Sequence, residues 1–278
     1  MIHRDSLTIG SFDSTVGGKQ KFVNEILDKF PKNIDTYHEP FLGGGSVLLA
    51  LLSSDITCKK YRANDINKHL IQTYIDVRDN VDALIEELKK LKNDKELFYV
   101  YRARFNKFKQ DGVFNVETSA LFICLNKTCF RGLYREGPHG LNTPFGHYEY
   151  SSFFDEDALK NIATLIHRVE FTSLPYETFL EGVDQGDFVY LDPPYVPETK
   201  ISFTKYNAAD FLDHEGFFEF IKKLPGFLMS NSAVDAVIDA FPGHEITTLK
   251  CRRSINSKTP GSTTNEVLIK NNNTLTNE

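Results

Sequence analysis

The feature that most constrains this chain is an alternation of short apolar runs, each stopped by a turn residue, with stretches whose apolar residues recur at helical spacing. Asp35 to His38, Tyr61 to Asn64, Val169 to Thr172, Phe188 to Leu191, Phe227 to Ser230 and Ile246 to Leu249 read as strands. Val47 to Leu52, after the first of them, reads as a helix. Strands alternating with helices place those helices on both faces of a shared sheet, so an α/β, doubly wound fold is expected. Glu266 to Lys270 is expected to add a last, antiparallel strand.

The middle of the chain departs from that alternation. Val81, Leu84, Ile85, Leu88 and Leu91 keep a helical period, and Phe98, Tyr101, Phe105 and Phe108 resume it beyond a polar break at Asn93 and Asp94. Thr118 to Leu125 reads as another helix, and Arg135 to Gly146 as a polar loop. Residues 76–149 are therefore expected to form a helical insertion between two parts of a sheet domain, 1–75 and 150–270, with a disordered tail at 271–278. A chain of 278 residues, 41% of them hydrophobic, suffices for one large core plus such an insertion.

No apolar stretch approaches the roughly 18 residues that a membrane span needs, and no export signal is visible. Cys58, Cys124, Cys129 and Cys251 lack metal-ligand spacing and read as reduced thiols. A soluble, cytoplasmic protein with no membrane partner and no metal is expected. The net charge of -6 argues mildly against a nucleic-acid partner. Its distribution argues the other way, because Lys250, Arg252, Arg253 and Lys258 form one basic stretch and Lys127, Arg131 and Arg135 another.

Chemistry concentrates in three places. Asp192-Pro193-Pro194-Tyr195 follows the apolar run Phe188 to Leu191, and the carboxyl ends of strands are where open α/β sheets put their ligands. The lone pair of an adenine N6 is delocalised into its ring. Asp192 and the Pro193 carbonyl can accept the two amine hydrogens and draw the nitrogen toward a tetrahedral arrangement, while Tyr195 offers a ring face to an extruded base. Pro193 and Pro194 have fixed φ and donate nothing, which leaves carbonyls free. The alternative is a rigid turn with a capping aspartate. The second place is Glu39-Pro40-Phe41-Leu42-Gly43-Gly44-Gly45-Ser46, where glycines admit close approach of a ligand and Phe41 can cover an adenine ring; a tight strand-to-helix turn is the competing reading. Asp65, about 20 residues beyond Gly45, stands where an acid binds ribose hydroxyls, with an ordinary turn residue at a strand end as the competing reading. Third, Gly17-Gly18-Lys19 can wrap a carboxylate or form a solvated loop.

In this order, these residues resemble the Dam-like (D12) class of adenine-N6 DNA methyltransferases, over nearly the whole chain. The stretch Leu125-Asn126-Lys127-Thr128-Cys129-Phe130-Arg131-Gly132-Leu133-Tyr134-Arg135, followed by Pro144-Phe145-Gly146, is similar to that family's target-reading loop. Arg252-Arg253-Ser254-Ile255-Asn256-Ser257 is similar to a family loop near the DNA. The resemblance implies a Rossmann-like methyltransferase sheet and S-adenosyl-L-methionine as methyl donor, with S-adenosyl-L-homocysteine as product. It implies cofactor contacts at Thr15, Gly17, Gly18, Lys19, Glu39, Pro40, Phe41, Gly43, Gly45, Asp65 and Asp192. Catalysis falls to Asp192, Pro193, Pro194 and Tyr195. Double-stranded DNA is the implied partner, met by Lys127, Phe130, Arg131, Leu133, Arg135, Pro144, Arg252, Arg253 and Asn256. Phe130 corresponds to a wedge in the base stack and Arg135 to a reader of guanine, whose O6 and N7 match a guanidinium fork. Thr15, where many relatives carry an aromatic residue, Arg131, where Asn is common, and the loop Glu136 to Asn142, about one residue short and with an unusual Gly137-Pro138-His139, depart from the pattern. The expected site is a four-base palindrome, GATC or a near variant such as CATG, read by a monomer or weak dimer, with a separate cognate restriction endonuclease as a possible companion.

Other readings stay open on sequence grounds: N4-cytosine methylation, which poses the same exocyclic-amine problem, a DNA-binding module with an inactive cofactor site, and a nucleotide-dependent oxidoreductase, for which the Asp-Pro-Pro-Tyr run has no purpose.

Overall fold

The computed structural model describes residues 17–149, 152–197, 212–252 and 263–271. They group into two compact units, one of residues 42–53 and 65–173, the other of residues 17–41, 54–64 and those from 174 onward.

The second unit carries a mostly parallel sheet. Strand β1 (Asn33–Glu39) pairs in parallel with β2 (Thr57–Asn64) and with β6 (Phe188–Leu191), and β6 with β7 (Phe227–Ser232). Strand β9 (Thr263–Lys270) then runs antiparallel to both β7 and β8 (Glu245–Arg252), giving the order β2-β1-β6-β7-β9-β8 within this unit. All residues of β6 and β7 are buried, so these strands show no polar alternation. One face, with Val189, Leu191, Phe227, Met229, Val267 and Ile269, packs on Phe179 of α8 (Tyr176–Phe179), on Phe217, Phe218 and Ile221 of α9 (His214–Ile221) and on Phe241. The opposite face presents Tyr37, Phe188 and Tyr190, whose rings surround Phe30 at centroid distances of 5.8, 4.7 and 6.0 Å. Helices thus cover both sides, as the alternation of elements predicts.

Phe30 follows helix α1 (Gly17–Leu27), where a loop at Gly17-Gly18-Lys19 was the expectation. Those residues instead open the helix. The burial of Val23 and Ile26 on one face outweighs the helix cost of roughly 1 kcal/mol per glycine. Asn271, expected to begin a disordered tail, is buried, and its side-chain amide donates to the Leu224 carbonyl at 2.9 Å. Residues 272–278 lie outside the described set.

The other unit is largely helical: α2 (Ser46–Leu52), α3 (Lys68–Asp79), α4 (Val81–Lys89), α5 (Lys95–Gln110), α6 (Val116–Thr128) and α7 (Glu156–Leu165), with the short strand β5 (Val169–Thr172). Helix α6 packs against α3, α4 and α5 and is buried nearly all round, which explains its weak amphipathic pattern. Asn115 and Thr118 cap it reciprocally, each side chain accepting from the other's backbone N–H at 2.9 Å. A buried carboxyl, Asp76 of α3, accepts from Ser119 Oγ of α6 at 2.6 Å and from Asn80 Nδ2 at 2.9 Å. The polar break at Asn93 and Asp94 is a helix start: Asp94 caps α5 through the Leu97 N–H at 2.9 Å. Cys58, Cys124 and Cys129 are free and buried. Among the described residues no helix is long and apolar enough to cross a membrane.

Candidate active site

Two-residue alternation along the strands, carried across the sheet by register, brings Tyr37 and Glu39 of β1, Tyr190 of β6, Ser230 and Ser232 of β7 and Glu266 of β9 to one face. Asp192 continues the same alternation just beyond β6. The carboxyl ends of the parallel strands therefore gather acidic groups on the face opposite the phenylalanine core. Glu39 is 2% exposed, and its Oε2 accepts from the Tyr37 hydroxyl at 2.7 Å. Burial, opposed by that hydrogen bond and reinforced by the neighbouring Asp192, pushes the Glu39 carboxyl up to about 8. No cation is among the groups that set this value.

Pro193 is buried, while Asp192, Pro194 and Tyr195 are partly exposed. The Tyr195 hydroxyl donates to Glu266 Oε2 at 3.0 Å, and the following residue is anchored separately, Val196 N–H donating to Asn231 Oδ1 at 3.1 Å. Burial, then the charges of Asp192 and Glu266, hold the Tyr195 hydroxyl well above the ordinary phenol range, so it remains a donor. Asn231 Nδ2 is a buried donor without a partner among the described residues. Pro40, beside Glu39, is held by Asn64, whose Nδ2 donates to the Pro40 carbonyl at 3.1 Å and to the Leu174 carbonyl at 3.0 Å. Phe41 lies against Tyr176 and Phe217, with centroids 5.8 and 5.6 Å away. Tyr176 also lines a cleft of about 450 Å³ with Glu177, Leu212, Asp213, Gly216 and Phe220.

In the helical unit, the glycine segment is a braced turn. Gly43 and Gly45 have φ of 49° and 71°, a region open to glycine and costly to other residues. Gly43 N–H donates to Asp65 Oδ2 at 3.0 Å, and Asp65 Oδ1 accepts from Asn67 N–H at 2.9 Å. Asp65, read from sequence as a ribose acceptor, thus also braces the glycine turn through Oδ2, while Oδ1 holds its own chain at Asn67. Tyr74 closes the other side, donating to the Gly43 carbonyl at 3.2 Å. A Cβ on Gly45 would overlap the Tyr74 hydroxyl.

The target-loop residues belong to this unit too. Thr128 ends α6, and Phe130 follows, 45% exposed, its N–H donating to the Pro144 carbonyl at 2.8 Å. Arg131 has φ 58°, with its guanidinium 5.1 Å from the Phe130 ring and its N–H on the Tyr148 hydroxyl at 2.8 Å. This left-handed position is one an Asn adopts more easily, consistent with the Asn of the family pattern. Leu133 is partly buried, its carbonyl accepting from Thr143 Oγ1 at 2.7 Å. Residues Arg135 to Gly146, expected as an irregular loop, contain a small hairpin, β3 (Glu136–Gly137) with β4 (Gly140–Leu141). Strands of two residues carry no readable period, which is why alternation missed them. The exposed Arg135 donates from Nε to Asn142 Oδ1 at 2.7 Å across that hairpin. Lys127 is partly buried and Pro144 exposed.

Thr15, Arg253 and Asn256 lie outside the described residues, as do the side chains of Lys19 and Arg252. Sequence reading missed Tyr37, Asn64, Tyr176, Asn231 and Glu266. The one available signal was strand parity, which sets Tyr37 two residues from Glu39.

A mostly parallel sheet that ends in the Asp192 to Tyr195 turn, with the buried acid Glu39 on the next strand, is the arrangement in which open α/β enzymes place their ligands. A family model described as D12 class N6 adenine-specific DNA methyltransferase matches residues 16–255. A Type II methyltransferase, M.MjaIII, from Methanocaldococcus jannaschii is 38% identical, covering 91% of this chain and 94% of that protein. DNA adenine methylases of Escherichia coli K12 and Haemophilus influenzae are 30% and 29% identical, covering 89% and 86% of this chain and 89% and 85% of their own. The chain belongs to the D12 class of adenine-specific DNA methyltransferases. It is an S-adenosylmethionine-dependent DNA adenine methyltransferase, and the cytosine and oxidoreductase readings fall away. The chemistry at Glu39 fits that donor: a buried carboxyl with no cation among the described groups that set its charge suits a cationic ligand.

Proposed function

We propose that this enzyme methylates N6 of an adenine swung out of a duplex, within a four-base palindrome, GATC or a near variant such as CATG. The observation that carries this reading is the placement of Asp192 to Tyr195 at the end of β6, on the sheet face that also holds buried Glu39. S-adenosylmethionine supplies a methyl group already activated on a sulfonium, so transfer needs neither a covalent enzyme intermediate nor a metal.

The residues of the chain do the orienting. Asp192 and the Pro193 carbonyl accept the N6 hydrogens, Pro194 keeps the turn rigid, and Tyr195 stacks on the base. Glu39 and Asp192 hold the cationic end of the cofactor. Pro40, Phe41, Gly43, Gly45 and Asp65, with Thr15, Gly17, Gly18 and Lys19, make its remaining contacts, as the family pattern implies. On the DNA side, Lys127 and Arg131 meet phosphates, Phe130 wedges into the stack, and Arg135 reads a guanine. Leu133, Pro144, Arg252, Arg253 and Asn256 complete that surface. We assign the recognition role to residues 76–149 and the catalytic role to 1–75 and 150–270. We further place the enzyme inside a cell, acting as a monomer or weak dimer. The Type II name of one relative favours a partner restriction endonuclease that works separately.

The test is transfer of a labelled methyl to plasmid DNA, digestion to nucleosides and weighing, with modified-base sequencing of the same DNA. N6-methyladenine confined to one palindrome is the expected result. Modification without sequence preference, or at adenines of single strands alone, would refute the proposed site.

A further inference from the structure

The Asp192 to Tyr195 turn is fastened at two points by strands that follow it in the chain. Asn231 of β7 fixes the backbone at Val196, which sets the path of the turn and leaves the Tyr195 ring free to rotate about its side-chain torsions. The second point removes that freedom: the ring's far end, its hydroxyl, is held by Glu266 at 3.0 Å. Glu266 is itself a rigid anchor. It is 9% exposed and sits in β9, opposite Ser232 of β7 and Leu249 of β8, so hydrogen-bonded strands fix its backbone on both sides. A carboxyl buried in the middle of a sheet is costly unless its lone pairs are used, and the bond it accepts here comes from the residue at the reacting end of the site.

We propose that Glu266 is a positioning residue of the target pocket: by accepting from the Tyr195 hydroxyl it holds the ring in the plane on which the extruded adenine stacks, and it acts on the reaction through Tyr195. This rests on the reading that Tyr195 stacks on the base. A ring held in place loses less rotational freedom when the base arrives, so Glu266 raises the fraction of encounters in which the amine reaches Asp192 correctly oriented.

The test is a double-mutant cycle on kcat/KM for duplex DNA. Glu266→Leu keeps volume and removes the acceptor, Glu266→Gln keeps an acceptor, and Tyr195→Phe removes the hydroxyl but keeps the ring. Loss of one hydrogen bond to a charged group predicts about a tenfold fall for Glu266→Leu and for Tyr195→Phe. Glu266→Gln should stay within about threefold of the parent. The double variant should be no slower than Tyr195→Phe. With 2-aminopurine at the target position, the amplitude of the short, quenched lifetime of the stacked base should fall in Glu266→Leu and return in Glu266→Gln, with thermal midpoint and calorimetric cofactor affinity unchanged. Equal losses from Glu266→Leu in the parent and in the Tyr195→Phe background would overturn the proposal. If Glu266→Leu fails to fold, Tyr195→Phe decides alone, because a parental rate without the hydroxyl removes any role for its acceptor. The underlying reading fails separately, if Tyr195→Ala leaves both rate and lifetime unchanged.

Discussion

Replacing Glu39 by glutamine should make the cofactor-free protein more stable in proportion to pH. Burial raises this carboxyl from 4.5 to about 8 in the folded chain, so between those values the folded state carries a proton that the unfolded state has released. Each pH unit crossed then costs the parent about 1.4 kcal/mol of stability, with a ceiling of about 5 kcal/mol by pH 8 and no further loss above it. Tyr37 and Tyr195 do not share the window: both are held above the ordinary phenol range and stay neutral through it. A glutamine in this place does not titrate, yet its side-chain oxygen can still accept from Tyr37. At about 2–4 °C per kcal/mol for a protein of this size, the gap between variant and parent midpoints should widen by roughly 10 °C from pH 5 to pH 8. Differential scanning calorimetry without cofactor, in matched buffers at half-unit pH steps, measures it. Parallel midpoints across that range would mean that Glu39 is ionised when buried, and the cation-seeking character argued for the site would lose its physical basis. A positively charged cofactor should also expel the Glu39 proton, so the parent's binding enthalpy at pH 7 should depend on the ionisation enthalpy of the buffer, and that of Glu39→Gln should not.

Asp192→Ala should bind duplex DNA as the parent does in a gel-shift titration while losing methyl transfer by about a thousandfold, the scale of removing a group that acts on the reacting atoms. Gly45→Ala combines a strained φ with overlap of the Tyr74 hydroxyl, so thermal unfolding should show a loss of about 1–3 kcal/mol, part of it recovered by adding Tyr74→Phe. Arg135→Ala should reduce discrimination between cognate and single-mismatch sites by about 1–3 kcal/mol, read from kcat/KM ratios. Lys127→Ala should instead weaken all duplexes alike and flatten the salt dependence of binding.

The strands at Val169 to Thr172 and Phe188 to Leu191 were legible residue for residue, because short apolar runs between turn residues admit few other structures. The Asp-Pro-Pro-Tyr turn was legible for the same reason: it begins where such a run stops. The capping chemistry at Asn115 was open to reading too, since an Asn three residues before Thr118 matches a helix start. Glu266 was not. Its meaning depends on β9 lying beside β7 in one register rather than the next, and a shift of one residue would turn the carboxyl to the opposite face. Asp65 shows a further limit. Its bond to Asn67, two residues on, is the turn role an aspartate at a strand end suggests, whereas its bond to Gly43, 22 residues away, depends on tertiary placement that residue types do not encode.

Strand β9 enters the sheet between β7 and β8, although it comes last of the three in the chain. A ribosome therefore delivers β8 before the strand that joins it to β7, and a nascent polypeptide that has emerged only as far as β8 lacks the Glu266 carboxyl that accepts from the Tyr195 hydroxyl. The strand made last is thus the one that closes the sheet between its two predecessors and brings the acceptor for the Tyr195 hydroxyl.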